Sequence, residues 1–131
     1  MFNKIVFDTN ILISSTLWGN SVAQKVLQKC IRENVQIFSS NEILEEFAKI
    51  LKRDFDYSSE EAEKVISNTL QFITLIDTTT KAAIITEDPD DNKILECAID
   101  SNSEVILTYD NHLLKLGEFS GIKIMKPESL I

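Results

Sequence analysis

Short apolar runs alternate with stretches of helical periodicity along most of the chain, and this alternation restricts the possible folds more than any other feature. Lys4–Phe7 and Glu104–Thr108 have the length and composition of buried strands. In the segments between such runs, apolar residues recur every three or four positions, as in Val22–Ile31 and Ile43–Leu51. Parallel strands require a long crossover connection, which is usually a helix. We therefore predict an α/β fold, a three-layer α/β/α sandwich with a central, mainly parallel sheet of four to five strands.

Residues with helix-capping side chains mark where the predicted helices begin. The predicted caps are Ser21, Ser40 or Asn41, Ser58 and Asp88. Ser58 opens a capping box with Glu61, for a helix that runs to about residue 72. Asp88 precedes Pro89, which suits the first position of a helix because its missing N–H would be unpaired there anyway.

The remaining predicted elements are short. They are strands at Val35–Phe38, Ile73–Ile76 and Ile122–Met125, and a helix at His112–Leu116. Residues 78–87 stay open, because Ala82–Ile85 could form either a strand or an irregular connection.

Length and apolar content limit how the chain is organised. With 131 residues, 44% of them hydrophobic, we expect one domain that spans residues 1–131. No apolar run is long enough to cross a bilayer and the start does not suggest export, so we expect a cytoplasmic protein without membrane contact. Cys30 and Cys97 lie far apart within helical apolar patterns, which is typical of buried, reduced thiols.

Two acidic residues directly follow predicted strands. Asp8 comes after Ile5–Phe7, and Asp110 comes after Val105–Tyr109. In open parallel sheets the ligand site lies beyond the carboxyl ends of the strands. Either aspartate alone could instead start a turn or cap the following helix, which is the usual role of Asp after a strand.

Helical geometry separates Asp91 from its neighbour Asp90. Asp91 lies three, four, seven and eight residues before apolar positions of the predicted helix, and therefore on the core-facing side. Asp90 does not. Compensation of the helix dipole would explain an acid on the solvent side, whereas an ionised group facing the core needs a partner or a metal.

The helix after Ser40 contains three glutamates, and only one of them borders its apolar face. Glu45 lies nearly opposite that face and Glu42 lies well away from it, while Glu46 lies at its edge. Glu46 is therefore the one that we expect to reach a cleft beside the core.

Several carboxylates brought together suit Mg²⁺ or Mn²⁺, which prefer hard oxygen ligands. The single histidine and the two separated cysteines do not form a zinc motif. Such ions activate water for in-line attack on phosphorus and stabilise the leaving oxygen, so no separate nucleophile is required. We therefore expect hydrolysis of phosphodiester bonds.

The net charge has the wrong sign for binding nucleic acid by bulk attraction. Twenty-one acidic and 13 basic residues give a formal charge of −8. Two bound dications would add four positive charges and change −8 to −4. We therefore expect metal to be required for binding the substrate as well as for the reaction.

Four short segments are specific together through their order and spacing, and the similarity that they mark covers nearly the whole chain. They are Val6–Asn10, Ser39–Phe47, Asp88–Asn92 and Leu107–Asp110. In these segments the chain resembles the PIN domain family, and especially its small prokaryotic, VapC-like toxin members. The resemblance agrees with the fold class predicted above.

The resemblance also implies roles for particular residues. It implies that Mg²⁺ or Mn²⁺ is coordinated by Asp8, Glu46, Asp91 and Asp110. Three further residues match positions that line or support the site in the family, namely Asn10, Asp88 and Thr108. A structural role explains two of these residues equally well: Asp88 could simply cap a helix, and Thr108 could simply end a strand.

Function and partners follow from the same resemblance. Members of the family look like ribonucleases that cut single-stranded RNA, often as dimers. Toxin members are silenced by a partner protein. The expected function is a metal-dependent endoribonuclease, the toxin of a toxin–antitoxin pair. The expected partners are single-stranded RNA, an antitoxin protein, and further copies of the chain in a homodimer or higher homo-oligomer.

Some residues near the matched positions have open roles. Tyr109 stands where small residues are common in the family, and it could stack on a base, although packing is favoured. His112 could assist a proton transfer, but a lone histidine in a short helix is usually structural or exposed. Several basic residues could contact phosphate, but exposure to solvent explains each of them at least as well. They are Lys49, Lys52, Arg53, Lys93 and Lys115.

Two other function classes compete with a nuclease. A phosphoacceptor signalling domain has a similar length, an acidic magnesium site and a lysine before proline, as in Lys126-Pro127. Such a domain has an acidic pair after its first strand, whereas Asp8 is followed by Thr9. A non-catalytic binding module could keep the fold as a scaffold for RNA or a partner protein. Carboxylates massed in one cleft without a use would then repel one another and destabilise the fold.

Overall fold

The computed structural model describes residues 2–81 and 89–131. Within these residues the strands are β1 (Lys4–Phe7), β2 (Gln36–Ser40), β3 (Ile73–Ile76), β4 (Val105–Leu107), β5 (Glu118–Phe119) and β6 (Ile122–Met125). They form one six-stranded sheet in the order β3-β2-β1-β4-β6-β5. Only β5 runs antiparallel to its neighbour.

Helices connect the parallel strands. In the described ranges they are α1 (Thr9–Leu17), α2 (Val22–Arg32), α3 (Asn41–Asp54), α4 (Ser59–Thr69), α5 (Asn92–Asp100) and α6 (Asn111–Leu114). Two 3₁₀ turns, Pro89–Asp91 and Pro127–Leu130, precede α5 and end the chain. None of these helices combines the length and the hydrophobicity needed to cross a bilayer.

The two central strands are covered on both faces. Ile5, Val6 and Phe7 of β1 are at most 1% exposed, and every residue of β4 is fully buried. Because successive side chains of a strand point to opposite faces, burial of all of them requires packing on both sides of the sheet. The predicted α/β fold with helices flanking a mainly parallel sheet is confirmed.

Several predicted caps are observed. Ser21 and Ser40 cap α2 and α3 through their side chains, so Ser40 rather than Asn41 is the cap. Ser58 and Glu61 form the reciprocal capping box of α4, which ends at Thr69 rather than near residue 72. Asp88 and the ambiguous residues 82–85 lie outside the described part of the chain.

The sheet has six strands rather than four to five because of a tight hairpin near the end of the chain. Glu118 of β5 pairs with Lys123 of β6, and Phe119 pairs with Ile122. Ser120 and Gly121 connect the strands, and both have positive φ, at 51° and 81°. Positive φ at both central residues is what a two-residue type I′ turn requires.

Candidate metal centre

The first acidic pair lies where two neighbouring parallel strands end. Phe7 of β1 is in register with Leu107 of β4, and the backbone N–H of Asp8 donates to the carbonyl of Leu107 at 2.9 Å. The connection from β1 leads to β2 on one side, while β4 lies on the other side. Asp8 therefore lies at the point of the sheet where the strand order reverses, a usual position for a ligand site in open α/β sheets.

Thr108 joins Asp8 to Asp110. Its hydroxyl donates to Oδ2 of Asp8 at 2.6 Å and accepts from the backbone N–H of Asp110 at 2.9 Å. Thr108 is fully buried and Asp8 is 5% exposed. One buried hydroxyl thus fixes the distance between the acid that follows β1 and the acid that follows β4.

Both aspartates also cap helices. Oδ1 of Asp8 accepts from the N–H of Thr9 at 2.6 Å, at the start of α1. Oδ1 of Asp110 accepts from the N–H groups of His112 and Leu113, at 2.8 and 3.2 Å, at the start of α6. The capping role and membership of an acidic cluster therefore occur together in the same residues.

The pKa of Asp8 is shifted mainly by burial. Together with smaller contributions from neighbouring groups, burial raises this pKa from 3.8 to about 6. Hydrogen bonds from Thr108 and Thr9 lower it, and the negative charges of Asp110 and Glu46 raise it further. Asp110 and Glu46 are therefore each close enough to Asp8 to repel its carboxylate, and a bound cation would relieve that repulsion.

Asp91 approaches this cluster from another element. It ends the 3₁₀ turn before α5, a helix that packs against β1, β2 and β4. Asp91 is buried and Asp90 is exposed, as their positions relative to the apolar face predicted. Ligand atoms of Asp91, Asp110 and His112 all lie within 4.8 Å of one another.

Glu46 is half-buried on α3, whereas Glu42 and Glu45 are exposed. Its Oε1 accepts from the hydroxyl of Thr9 at 2.6 Å, and its Oε2 pairs with the ammonium group of Lys93 at 2.7 Å. The border position expected for Glu46 is observed. Lys93 lies beside this carboxylate, a contact that the sequence does not reveal.

The other residues considered from sequence occupy different surroundings. Asn10 is exposed in the first turn of α1. The hydroxyl of Tyr109 donates to the carboxylate of Glu128 at 2.9 to 3.0 Å, which supports a packing role, although the side chain is 39% exposed. His112, considered mainly structural from sequence, has Nδ1 at 3.8 Å from Oδ1 of Asp110. Only the position two residues after Asp110 hinted at this proximity.

The donor set suits a divalent cation. Carboxylate oxygens of Asp91 in the 3₁₀ turn and of Asp110 in the β4–α6 connection lie within 4.8 Å of each other and of one imidazole nitrogen. Asp8, which follows β1, is close enough to Asp110 for their charges to interact. Mg²⁺ and Mn²⁺ bind such oxygen ligands, and Mn²⁺ also accepts imidazole. The residues present therefore fit a divalent metal.

The chain is similar in sequence to a known family and to one known protein. The sequence model of the PIN domain family matches residues 4–112. The uncharacterized protein MJ1680 of Methanocaldococcus jannaschii is 26% identical over 122 residues, which cover 86% of this chain and 74% of that protein.

Two solved structures share the fold. One is VapBC2 from Rickettsia felis bound to a DNA fragment from its promoter, with a TM-score of 0.68 and 17% identity over 92% of this chain and 96% of that one. The other is Mycobacterium tuberculosis VapC20, described as a sarcin–ricin loop cleaving toxin, with a TM-score of 0.63 and 12% identity over 91% and 98% of the two chains. At these identities the likeness concerns the fold.

Proposed function

The chain belongs to the PIN domain family, and from that premise we propose that it is a divalent-metal-dependent endoribonuclease that hydrolyses phosphodiester bonds of single-stranded RNA. One observation carries the proposal. Asp8 and Asp110 are joined through Thr108, and Asp91 lies within 4.8 Å of Asp110 although it comes from a different element. Acids from separate elements that converge in a partly buried site would be stabilised by a charge-compensating ligand.

In the proposed mechanism, Asp8, Asp91 and Asp110 would hold Mg²⁺ or Mn²⁺, and Glu46, the fourth predicted ligand, lines the cleft beside them. When bound, the metal activates water for in-line attack and stabilises the leaving oxygen. Thr108 positions Asp8 and Asp110, while Lys93 and Thr9 fix the carboxylate of Glu46. Asn10 and Asp88 remain predicted supporting residues.

Net charge gives the metal a second role in this proposal. With a formal charge of −8, the protein as a whole repels a polyanion. A dication in the cleft would supply the local positive charge to which an RNA phosphate can bind. Removing the metal should therefore weaken RNA binding as well as stop cleavage.

The proposal includes a toxin role with an antitoxin partner. It is supported by the likeness in fold to the VapBC2 and VapC20 structures. An apolar groove of about 480 Å³ between α3 and α4 offers a surface for such a partner, lined by Leu44, Ile66, Leu70 and Leu75 among others. Leu70 and Leu75 are each 40% exposed there.

Co-purification with the product of a small neighbouring reading frame would test the pairing with an antitoxin. Sedimentation of the chain alone would test the predicted homodimer.

The order of the strands argues against the phosphoacceptor alternative. The parallel strands here run β3-β2-β1-β4-β6. Flavodoxin-like folds, which include phosphoacceptor domains, have the order 2-1-3-4-5. In the flavodoxin-like order the first strand lies between the second and the third, whereas here β1 lies between β2 and β4.

RNA cleavage with matched variants tests the nuclease proposal. Single-stranded RNA should be cut by the wild-type protein with Mn²⁺ or Mg²⁺ and not in EDTA. Asp91→Asn and Asp8→Asn should lower the rate at least about 100-fold, because loss of a metal ligand costs more than the 10- to 100-fold typical of residues that only orient ligands. Asp90→Asn is the control, since Asp90 is exposed beside Asp91. Equal cleavage by the wild type and both site variants would indicate a contaminant and defeat the proposal.

A further inference from the structure

His112 is placed like a metal ligand rather than a hydrogen-bond partner. Its Nδ1 lies 3.8 Å from Oδ1 of Asp110 and 4.0 Å from Oδ2 of Asp91. Both distances exceed the range of about 2.7–3.2 Å for hydrogen bonds between nitrogen and oxygen. The imidazole therefore faces two carboxylates across a gap.

The gap has the size of a coordinated ion. For a metal–ligand distance of about 2.1 Å, neighbouring ligands of an octahedral ion lie about 3 Å apart and opposite ligands about 4.2 Å apart. The distances from Nδ1 to the two carboxylate oxygens, 3.8 and 4.0 Å, lie between these values. Small side-chain adjustments would bring all three atoms to one ion.

The backbone holds His112 in this position. The carboxylate of Asp110 accepts from the backbone N–H of His112 at 2.8 Å, so the first turn of α6 is fixed to the acid. The next residue, Leu113, is fully buried and anchors the helix in the core. The His112 side chain is 38% exposed, which leaves its ring open to an ion arriving from solvent.

Glu46 is placed differently. Its two carboxylate oxygens are engaged by the Thr9 hydroxyl and the Lys93 ammonium group, at 2.6 and 2.7 Å. The ammonium charge already compensates Glu46 and opposes a second cation at that carboxylate. Of the groups around the cleft, His112 is therefore better placed than Glu46 to complete the shell formed by Asp91 and Asp110.

We propose that His112 supplies a nitrogen ligand to the ion held by Asp91 and Asp110, and that this ligand makes the site select Mn²⁺ over Mg²⁺. The inference rests on the proposed metal-dependent function and specifies which ion it uses. Mg²⁺ favours oxygen ligands and water, whereas imidazole suits transition ions. A site that adds one nitrogen to its carboxylates therefore favours Mn²⁺ over Mg²⁺ more than a purely carboxylate site would.

The composition makes a spectroscopic test unambiguous, because the chain contains a single histidine. Protein purified with a tag that lacks histidine is loaded with Mn²⁺ and measured by pulsed EPR. The wild type should show hyperfine coupling from an imidazole ¹⁴N. Labelling histidine with ¹⁵N should replace that coupling by the ¹⁵N frequencies, a result that requires no variant to fold.

Binding titrations with matched variants test the selectivity. His112→Gln should weaken Mn²⁺ binding about tenfold and Mg²⁺ binding less than about threefold, and should remove the nitrogen coupling. Asn111→Gln, in the same turn of α6 and exposed, should change neither affinity.

The outcomes separate this inference from the proposed function. If Mn²⁺ binds and Asp91→Asn weakens it, but the wild type shows no histidine nitrogen coupling, His112 is not a ligand while the acidic metal site stands. Equal losses of Mn²⁺ and Mg²⁺ affinity in His112→Gln would overturn the selectivity. Absence of Mn²⁺ binding by the wild type would overturn both this inference and the metal-dependent function.

Discussion

Replacing Asp8 with asparagine should make the metal-free protein more stable at neutral pH, although Asp8 is a proposed metal ligand. Asp8 is 5% exposed, and burial raises its pKa from 3.8 to about 6 despite hydrogen bonds from Thr108 and Thr9. At pH 7.5 the group is therefore ionised in surroundings that disfavour its charge. Asparagine has nearly the same shape and carries no charge.

The magnitude follows from the change in pKa. The difference between about 6 and 3.8, at about 1.4 kcal/mol per pH unit, corresponds to about 3 kcal/mol as an upper bound. Asparagine keeps an acceptor for the N–H of Thr9, but the Thr108 hydroxyl loses the carboxylate oxygen to which it donates at 2.6 Å. Weakening that bond costs about 1 kcal/mol. We therefore expect a net gain of about 1–2 kcal/mol in the free energy of unfolding at pH 7.5.

The dependence on pH has a definite sign. An acid whose folded pKa lies above its unfolded pKa contributes stability that is fully present below pH 3.8 and is lost as the pH rises through about 6. Between pH 5 and 7.5 the wild type should lose about 1.4 kcal/mol relative to Asp8→Asn, because native Asp8 releases its proton in that window.

Urea denaturation in EDTA at pH 5.0 and 7.5 measures both quantities. The wild type, Asp8→Asn and the exposed control Asp90→Asn are compared in the same buffers. Adding Mn²⁺ at about 100 times its Kd should stabilise the wild type by about 2.7 kcal/mol at pH 7.5 and Asp8→Asn by much less. If Asp8→Asn is the less stable protein at pH 7.5, by a margin that does not change at pH 5.0, ionisation of buried Asp8 does not destabilise the wild type.

Two further changes test local features of the fold by denaturation. Thr108→Val should destabilise the protein by about 1–3 kcal/mol, because it removes the partner of buried Asp8 and of the Asp110 N–H. Thr16→Val, which removes bonds back to the Leu12 and Ile13 carbonyls within α1, should cost less, and equal losses would contradict a special role for Thr108. Ser58→Ala should cost about 1 kcal/mol through loss of the capping box of α4, whereas Ser59→Ala should stay within about 0.5 kcal/mol. Equal effects of the two serine variants would mean that the box adds nothing.

Short segments rich in apolar residues located the strands, both where burial is complete, as in β4, and where residues are exposed, as in β3. Lys4–Phe7, Ile73–Ile76 and Ile122–Met125 have the predicted bounds. The predicted strands at 35–38 and 104–108 are displaced or shortened, to Gln36–Ser40 and Val105–Leu107. These differences are small because pairing with neighbouring strands, rather than composition, decides where a strand ends.

Helix α1 could not be predicted from periodicity, because it has no single apolar face. Ile11, Leu12 and Ile13 are consecutive, and all three are at most 4% exposed. A helix that is buried around most of its circumference lacks the spacing of three and four residues that marks a surface helix. The opposite holds for α3, where the border between apolar and polar faces correctly separated Glu46 from Glu42 and Glu45.

The candidate site was predictable to the extent that it depends on backbone position. Strand ends and helical faces can be read from the pattern of apolar residues. That pattern indicated Asp8 and Asp110 after strands and Asp91 on the inner face of a helix. The Lys93–Glu46 ion pair and the approach of His112 to Asp91 depend on where side chains from distant segments meet. Spacing along one chain carries no information about such meetings.

The double role of the aspartates decides which experiments are informative. Asp8 and Asp110 cap α1 and α6 through the same carboxylates that face the cluster. Loss of activity in Asp110→Asn could therefore arise from a frayed α6 as well as from a lost metal ligand. Asp91 makes no side-chain capping bond to α5, so Asp91→Asn does not disturb a helix cap. Loss of both Mn²⁺ binding and cleavage in Asp91→Asn, with unchanged unfolding in EDTA, is thus the result that separates metal binding from structural support.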